Sequence, residues 1–234
     1  MRATRSGFAF ISLLSLTVFV GCAEGPLWRF GAVSPWARKK WAEEEKVVQS
    51  LFSRRDQLRE IADRAETMPA SEQEQVSRQL ATLFREDSVR LLRIEVVKTL
   101  TVLPTQTASD TLRLAVRDED RDVRIAACKA WGERKGDEGV EALRYVLERD
   151  EDIDVRIAAT KSLASFQGPN ATEALSLALD DRDPALQHNA MASLEEVTGQ
   201  DYGRSVVAWR EFVRGGQPVP PEGPSLVERV RELF

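Results

Sequence analysis

The sequence predicts an all-α fold, an α-solenoid in which antiparallel helix pairs stack into a superhelix. Three observations predict it. The block Asp122-Val123-Arg124-Ile125-Ala126-Ala127 returns 32 residues later as Asp154-Val155-Arg156-Ile157-Ala158-Ala159. Weaker copies lie 31 residues to either side, at Leu92-Arg93-Ile94-Glu95-Val96 and Leu186-Gln187-His188-Asn189-Ala190. Self-similarity at a period of this size marks units that stack because none can bury its own apolar face. Apolar residues also recur at three- and four-residue intervals, as in Val76, Leu80, Leu83 and Phe84 and again in Val140, Leu143, Val146 and Leu147, which is helical spacing. No alternating runs of strand type stand out.

Residues 1–21 read as an export signal. Arg2 and Arg5 give a basic start, and an apolar run from Phe8 to Val20 follows. At about 13 residues the run is short of the roughly 20 that a membrane-spanning helix needs. Residues 22–34 read as a tether, because Gly25, Pro26 and Gly31 oppose a regular helix. A capping helix is expected over 35–68, with Ser34 as N-cap and Pro35 in the first turn. Leu51, Leu58, Ile61 and Ala65 form its apolar side, widened by Val47, Val48 and Phe52. Met68-Pro69-Ala70-Ser71 ends it, and Ser71 with Glu74 has the spacing of a capping box for the next helix.

Four repeats then occupy 71–198. Their first helices are expected near Glu72–Arg85, Gln106–Arg117, Glu138–Arg149 and Ala171–Leu179. The second are expected near Ser88–Val102, Asp122–Glu133, Asp154–Phe166 and Pro184–Val197. Ala126, Ala127, Ala158, Ala159 and Ala190 permit close helix contact. Asp122 and Asp154 stand at second-helix starts, where a carboxylate can accept backbone N–H groups. Arg124 and Arg156 can pair with an aspartate in the neighbouring turn and align adjacent repeats. These four are the expected repeat-stacking residues.

The recurring acid-Val-Arg-x-x-Ala core resembles the HEAT-repeat family, in the short bacterial form also seen in phycobilin-lyase-like repeat proteins. The resemblance covers about 72–198. Asp122-Val123-Arg124 with Ala127 and Asp154-Val155-Arg156 with Ala159 carry it. Leu91-Leu92-Arg93 departs at the acid, and Ala185-Leu186-Gln187 loses both charged groups, as terminal repeats do. The resemblance implies a HEAT-like superhelix that binds other macromolecules.

Phe19-Val20-Gly21-Cys22 resembles a bacterial lipobox, with Phe19 where Leu is usual. The resemblance implies cleavage before Cys22, a lipid on its thiol and acylation of its new amino group. Several acyl chains would hold the protein stably at a membrane. It implies a bacterial envelope protein anchored on the periplasmic side. Ala23, where some inner-membrane lipoproteins carry aspartate, favours the outer membrane.

Residues 199–214 read as a C-terminal cap. They resemble the Thr-Gly-Gln-Asp…Trp segment that closes some HEAT-like envelope proteins. Residues 215–234 read as a Pro/Gly linker of polyproline type and a short amphipathic tail. Trp28, Trp36, Trp41, Tyr202 and Trp209 form the candidate partner surface. For Trp36 and Trp41 the alternatives are packing on the first repeat or membrane contact, and for Tyr202 and Trp209 the plainer role is to cover the last repeat.

The chain has 33 basic and 38 acidic residues, a net charge of −5. Removing 1–21 takes away Arg2 and Arg5 and leaves −7. That balance argues against nucleic-acid binding, which relies on basic surfaces. Two cysteines, one of them expected to carry lipid, leave Cys128 unpaired in an apolar setting that suits a buried thiol. His188 is the only histidine and has no metal-ligand partners in sequence. The acidic turns 118–120, 150–152 and 180–183 match no metal-loop spacing. No phosphate loop or nucleophile elbow occurs, so no catalytic, cofactor or metal site is expected. The reading is an envelope-anchored protein-interaction scaffold with an unidentified protein partner. The alternatives are a phycobilin lyase or isomerase-like enzyme and a structural envelope protein.

Overall fold

A computed structural model of the chain describes residues 35–219. The export signal, Cys22, the tether with Trp28, the Ser34 cap and the tail helix lie outside the described residues, as do the side chains of Trp36 and Trp41. The chain divides into two units, Met1–Ser50 and Leu51–Phe234. In the first, residues 35–50 are helical. The second contains the repeats.

Ten α-helices and no strand occur among the described residues. They are α1 (Pro35–Arg64), α2 (Ala70–Glu86), α3 (Arg90–Thr101), α4 (Gln106–Ala115), α5 (Arg121–Arg134), α6 (Asp137–Arg149), α7 (Ile153–Leu163), α8 (Pro169–Leu179), α9 (Pro184–Thr198) and α10 (Val206–Val213). A single 3₁₀ turn, Ala65–Thr67, follows α1. The pairs α2/α3, α4/α5, α6/α7 and α8/α9 pack within themselves, and each second helix packs on the next, α3 on α5, α5 on α7 and α7 on α9. This is an all-α solenoid.

The core is continuous because each unit gives apolar residues to both neighbours. Leu92, Val96 and Leu100 of α3, Val123, Ala127 and Trp131 of α5, and Val155, Ala159 and Leu163 of α7 are all buried. These residues recur at matched positions one helical turn apart, so the same stripe of each second helix faces inward. Small residues set how closely the row packs. A Cβ added at Gly132 would sit 3.0 Å from the Ser162 Cβ of the next second helix. Ser165 Oγ donates to the Gly132 carbonyl at 2.7 Å across the same contact.

The helix starts differ from expectation at α2. It begins at Ala70 with Pro69 as the cap residue and no side-chain cap, and the Glu72 and Gln73 amides donate to the Pro69 carbonyl. The Ser71–Glu74 capping box does not form. Glu74 instead accepts from Arg78 Nε at 2.9 Å and from Thr107 Oγ1 of the next repeat at 2.8 Å. Those bonds hold its carboxyl below the usual glutamate range, the Thr107 bond most of all. Proline's fixed φ makes position 69 a ready-made entry to the helix, so the turn closes before Ser71 can cap it.

At the N-terminal end of the stack, Leu58 and Ala65 are buried and Leu51 packs against the core. Thr99 Oγ1 of α3 donates to the Leu58 carbonyl at 3.2 Å, and Gln73 Nε2 of α2 to the Ala65 carbonyl at 2.8 Å. Phe52, expected on the apolar side, is exposed, with the Arg55 guanidinium 4.7 Å from its ring centre. Val48 is likewise exposed.

Candidate interaction surface

The turns between paired helices carry carboxylates at fixed positions, and each carboxylate has its own task. The aspartate that opens the turn accepts the backbone N–H two residues on. Asp87 accepts from Val89, Asp118 from Asp120, Asp150 from Asp152 and Asp181 from Asp183, at 2.8–3.0 Å. The second aspartate caps the helix that follows. Asp120 accepts from the Asp122 and Val123 amides, Asp152 from Asp154 and Val155, and Asp183 from Ala185 and Leu186. The N-caps are therefore Asp120 and Asp152, two residues before Asp122 and Asp154. The helices start at Arg121 and Ile153, so Asp122 and Asp154 already lie in the first turn and cannot cap it.

With its amide bond made, the opening aspartate still has acceptor capacity for the arginine of the preceding repeat. Arg93 forks onto Asp118, with Nε to Oδ2 at 3.1 Å and Nη2 to Oδ1 at 2.9 Å. Arg124 forks onto Asp150, with Nε to Oδ2 at 2.7 Å and Nη2 to Oδ1 at 3.1 Å. Arg156 reaches Asp181 through Nη1 alone, at 2.7 Å, and its buried Nε has no hydrogen-bond partner among the described residues. The free Nη1 of the first two arginines turns back to its own repeat. It donates to the Asp87 carbonyl from Arg93, and to the Asp118 carbonyl from Arg124. Bidentate geometry of this kind suits the planar guanidinium and fixes orientation as well as distance. Hydrogen bonding to Asp118 and Asp150 raises the Arg93 and Arg124 pKa values further above the ordinary arginine value, against the opposing effect of burial.

The ladder extends past the repeated motif at its start. Arg54 of α1 pairs with Asp87 at 3.0 Å, filling the place that an arginine of a preceding repeat would take. At the other end Gln187 stands in the arginine position. It donates to the Asp181 carbonyl at 2.6 Å, the same return bond that Arg93 and Arg124 make. Gln187 therefore keeps the bond within its own repeat and drops the fork to the next.

A second, more exposed set of pairs runs alongside. Arg90 pairs with Asp122 at 3.1 Å and Arg121 with Asp154 at 3.2 Å. Asp122 and Asp154 thus face the preceding second helix as surface ion-pair partners. The sequence signal for these pairs was present, since Arg90 and Arg121 stand 31 residues apart, but it lay outside the block that repeats most closely.

Tyr202 and Trp209 are both buried, as covering the last repeat requires, and this corrects the alternative that they form a partner surface. Ser205 caps α10 by accepting the Ala208 amide. Trp209 meets Tyr202 edge-on, with ring centres 5.0 Å apart, and Phe212 completes the cluster. Trp209 Nε1 donates to the Gly203 carbonyl, and Arg210 donates to the Leu179 carbonyl at 2.6 Å. The aromatic residues are consumed in closing the last repeat. Gly199 takes the left-handed conformation, φ 68°, that ends α9 and lets the chain turn back.

Cys128 is fully buried, and desolvation pushes its thiol up to about 12. A nucleophilic cysteine needs the opposite shift. His188 is exposed. Among the described residues no group of three or more His, Cys, Asp or Glu is placed to hold a metal ion, and no helix is long and apolar enough to cross a membrane.

The stacked pairs, the capped turns and the inter-repeat forks together define an α-solenoid of the repeat class. A family model for HEAT repeats matches residues 77–152 and 140–205, more than half of the chain. The chain belongs to the HEAT-repeat family. No curated protein matches it.

Proposed function

We propose that this protein is a protein-interaction scaffold held at the bacterial cell envelope by lipid on Cys22. The observation that carries the scaffold reading is the division of labour in the stack. Its polar groups in the turns are spent on joining one repeat to the next, while the outward faces of the second helices stay open. HEAT repeats as a family serve as such scaffolds, which fits a protein partner and a role without catalysis. Burial pushes the Cys128 thiol up to about 12, the opposite of what a nucleophilic cysteine needs, which fits a role without covalent catalysis.

The anchor reading rests on Arg2, Arg5, the apolar run to Val20 and the Phe19-Val20-Gly21-Cys22 sequence. Ala23 favours the outer membrane. Cys22→Ser should move the protein from the membrane fraction to soluble or unprocessed material. Unchanged extraction with the membrane would remove the lipid anchor from the account. For the scaffold, crosslinking of the full chain in native membranes should recover one protein in near-stoichiometric amounts. Recovery of no reproducible protein would shift the reading to a structural envelope role or to a bound pigment, which absorption spectroscopy of the purified chain would reveal.

A further inference from the structure

The second helices carry two further columns at the repeat period. Ile94, Ile125 and Ile157 hold one matched position, and Lys98, Lys129 and Lys161 hold another four residues on. A four-residue step places both columns on one side of each helix. The isoleucines are half-buried at the edge of the core and the lysines are exposed. Because α3, α5 and α7 pack side by side, the columns run across three repeats as parallel stripes.

The lysines are used differently from the arginines beside them. Arg93, Arg124 and Arg156 are committed to carboxylates. Among the described residues Lys129 and Lys161 make no ion pair, and Lys98 meets only Glu95, which also lies 3.7 Å from Arg59. The nearby acids Asp122 and Asp154 are neutralised by Arg90 and Arg121. Exposed Glu133, one turn beyond Lys129, is the acid that remains on α5. In a chain of net charge −5, Lys129 and Lys161 leave positive charge on this face that no carboxylate among the described residues takes up, beside apolar surface.

We propose that this face binds an acidic, extended protein segment whose carboxylates recur every third residue with an apolar residue beside each. The proposal deepens the scaffold reading and rests on it. Packed helices lie about 8–10 Å apart. A polyproline-type chain has three residues per turn at about 3.1 Å each, so one of its faces repeats about every 9 Å. A carboxylate at every third position would meet one lysine per repeat, and the neighbouring side chain would meet the isoleucine column. Each lysine contributes a solvent-exposed contact, so recognition comes from the register of several.

The test is a fluorescence-anisotropy titration of the full chain, in detergent, with a labelled peptide of repeated Glu-Leu-Pro triplets. A scrambled peptide of the same composition serves as comparison. The periodic peptide should bind about tenfold more tightly than the scrambled one. Raising salt should weaken it, since exposed charge contacts are screened. The double variant Lys129→Glu/Lys161→Glu should lose about tenfold in affinity, the sum expected of two exposed pairs reversed, while Lys135→Glu, in the turn between α5 and α6, should bind as the parent does. Both altered lysines are exposed, so helix content by circular dichroism should be unchanged, and Lys129→Ala/Lys161→Ala gives a milder second reading. Equal binding of periodic and scrambled peptides, or an unchanged affinity in the double variants, would overturn the proposal. Crosslinking in native membranes separates this from the scaffold reading. A partner lost with the double charge reversal supports the face, and a partner retained overturns the face and leaves the scaffold. No partner with either chain removes the scaffold and this proposal with it.

Discussion

The middle of the stack and its C-terminal end solve the same problem with different chemistry. In the middle, Arg93 and Arg124 each fork onto the aspartate of the next turn and return one bond to their own. Towards the end, Arg156 makes a single bond to Asp181, and Gln187 makes none to a carboxylate. There the surface is closed by Tyr202, Trp209 and Phe212 instead. A charged fork requires a following turn to supply its acceptor. Where no further repeat follows, a cation in that position would lack a partner, and an apolar lid is the cheaper closure. The difference teaches that the polar joints belong to interior interfaces and the aromatic cluster to an end.

The largest effect should come from breaking the lid. Trp209→Ala should cost about 3–5 kcal/mol, the range for truncating a buried tryptophan. In a one-dimensional stack that loss should stay near its site. Hydrogen exchange should therefore accelerate in α8, α9 and α10 while α3 and α5 keep their protection, and uniform acceleration would show that the lid is not local.

Next in size is the fork. Arg124→Ala leaves Asp150 without its partner and should cost about 3 kcal/mol in urea denaturation, as expected when one member of a mostly buried pair is removed. A double-mutant cycle with Asp150→Ala should show strong coupling. Additive effects would mean that the two residues act separately. The same cycle on Arg156 and Asp181 should give the weaker coupling of a single bond.

Smaller changes sharpen the assignment of the turn aspartates. Asp120→Ala should cost about 1 kcal/mol, the usual value of an N-cap. Asp122→Ala should cost about 0–1 kcal/mol, because its pair with Arg90 is exposed. A larger loss at Asp122 than at Asp120 would restore the sequence-based view that Asp122 is the cap.

The solenoid was legible because stacking asks the same position of every unit for the same residue. The 32-residue return of Asp-Val-Arg-Ile-Ala-Ala therefore reported the fold directly. Individual roles inside the turn were less legible. Residues 118–122 and 150–154 each hold three aspartates at alternate positions, Asp118, Asp120 and Asp122 in one and Asp150, Asp152 and Asp154 in the other. All three repeat with the same period, so periodicity cannot say which receives the arginine, which caps and which faces solvent. Only the helix start, at Arg121 or Ile153, distributes the tasks. The ends were harder again. Tyr202 and Trp209 had the composition of a lid and of a binding surface alike, and their burial decides for the lid. The lysine column is not legible in sequence, because lysine on a helix reads as ordinary solvated surface until the structure shows which carboxylates its neighbours take.

The most direct measurement is site-specific photo-crosslinking of the full chain in native membranes. A photoreactive side chain is placed at exposed Ala192 on the second helix α9, in the column of Lys161, and in a separate chain at exposed Glu141 on the first helix α6. The account predicts one discrete crosslinked protein from position 192 and none from position 141. Crosslinks from position 141 alone, or from neither, would contradict a scaffold that engages its partner through the second helices.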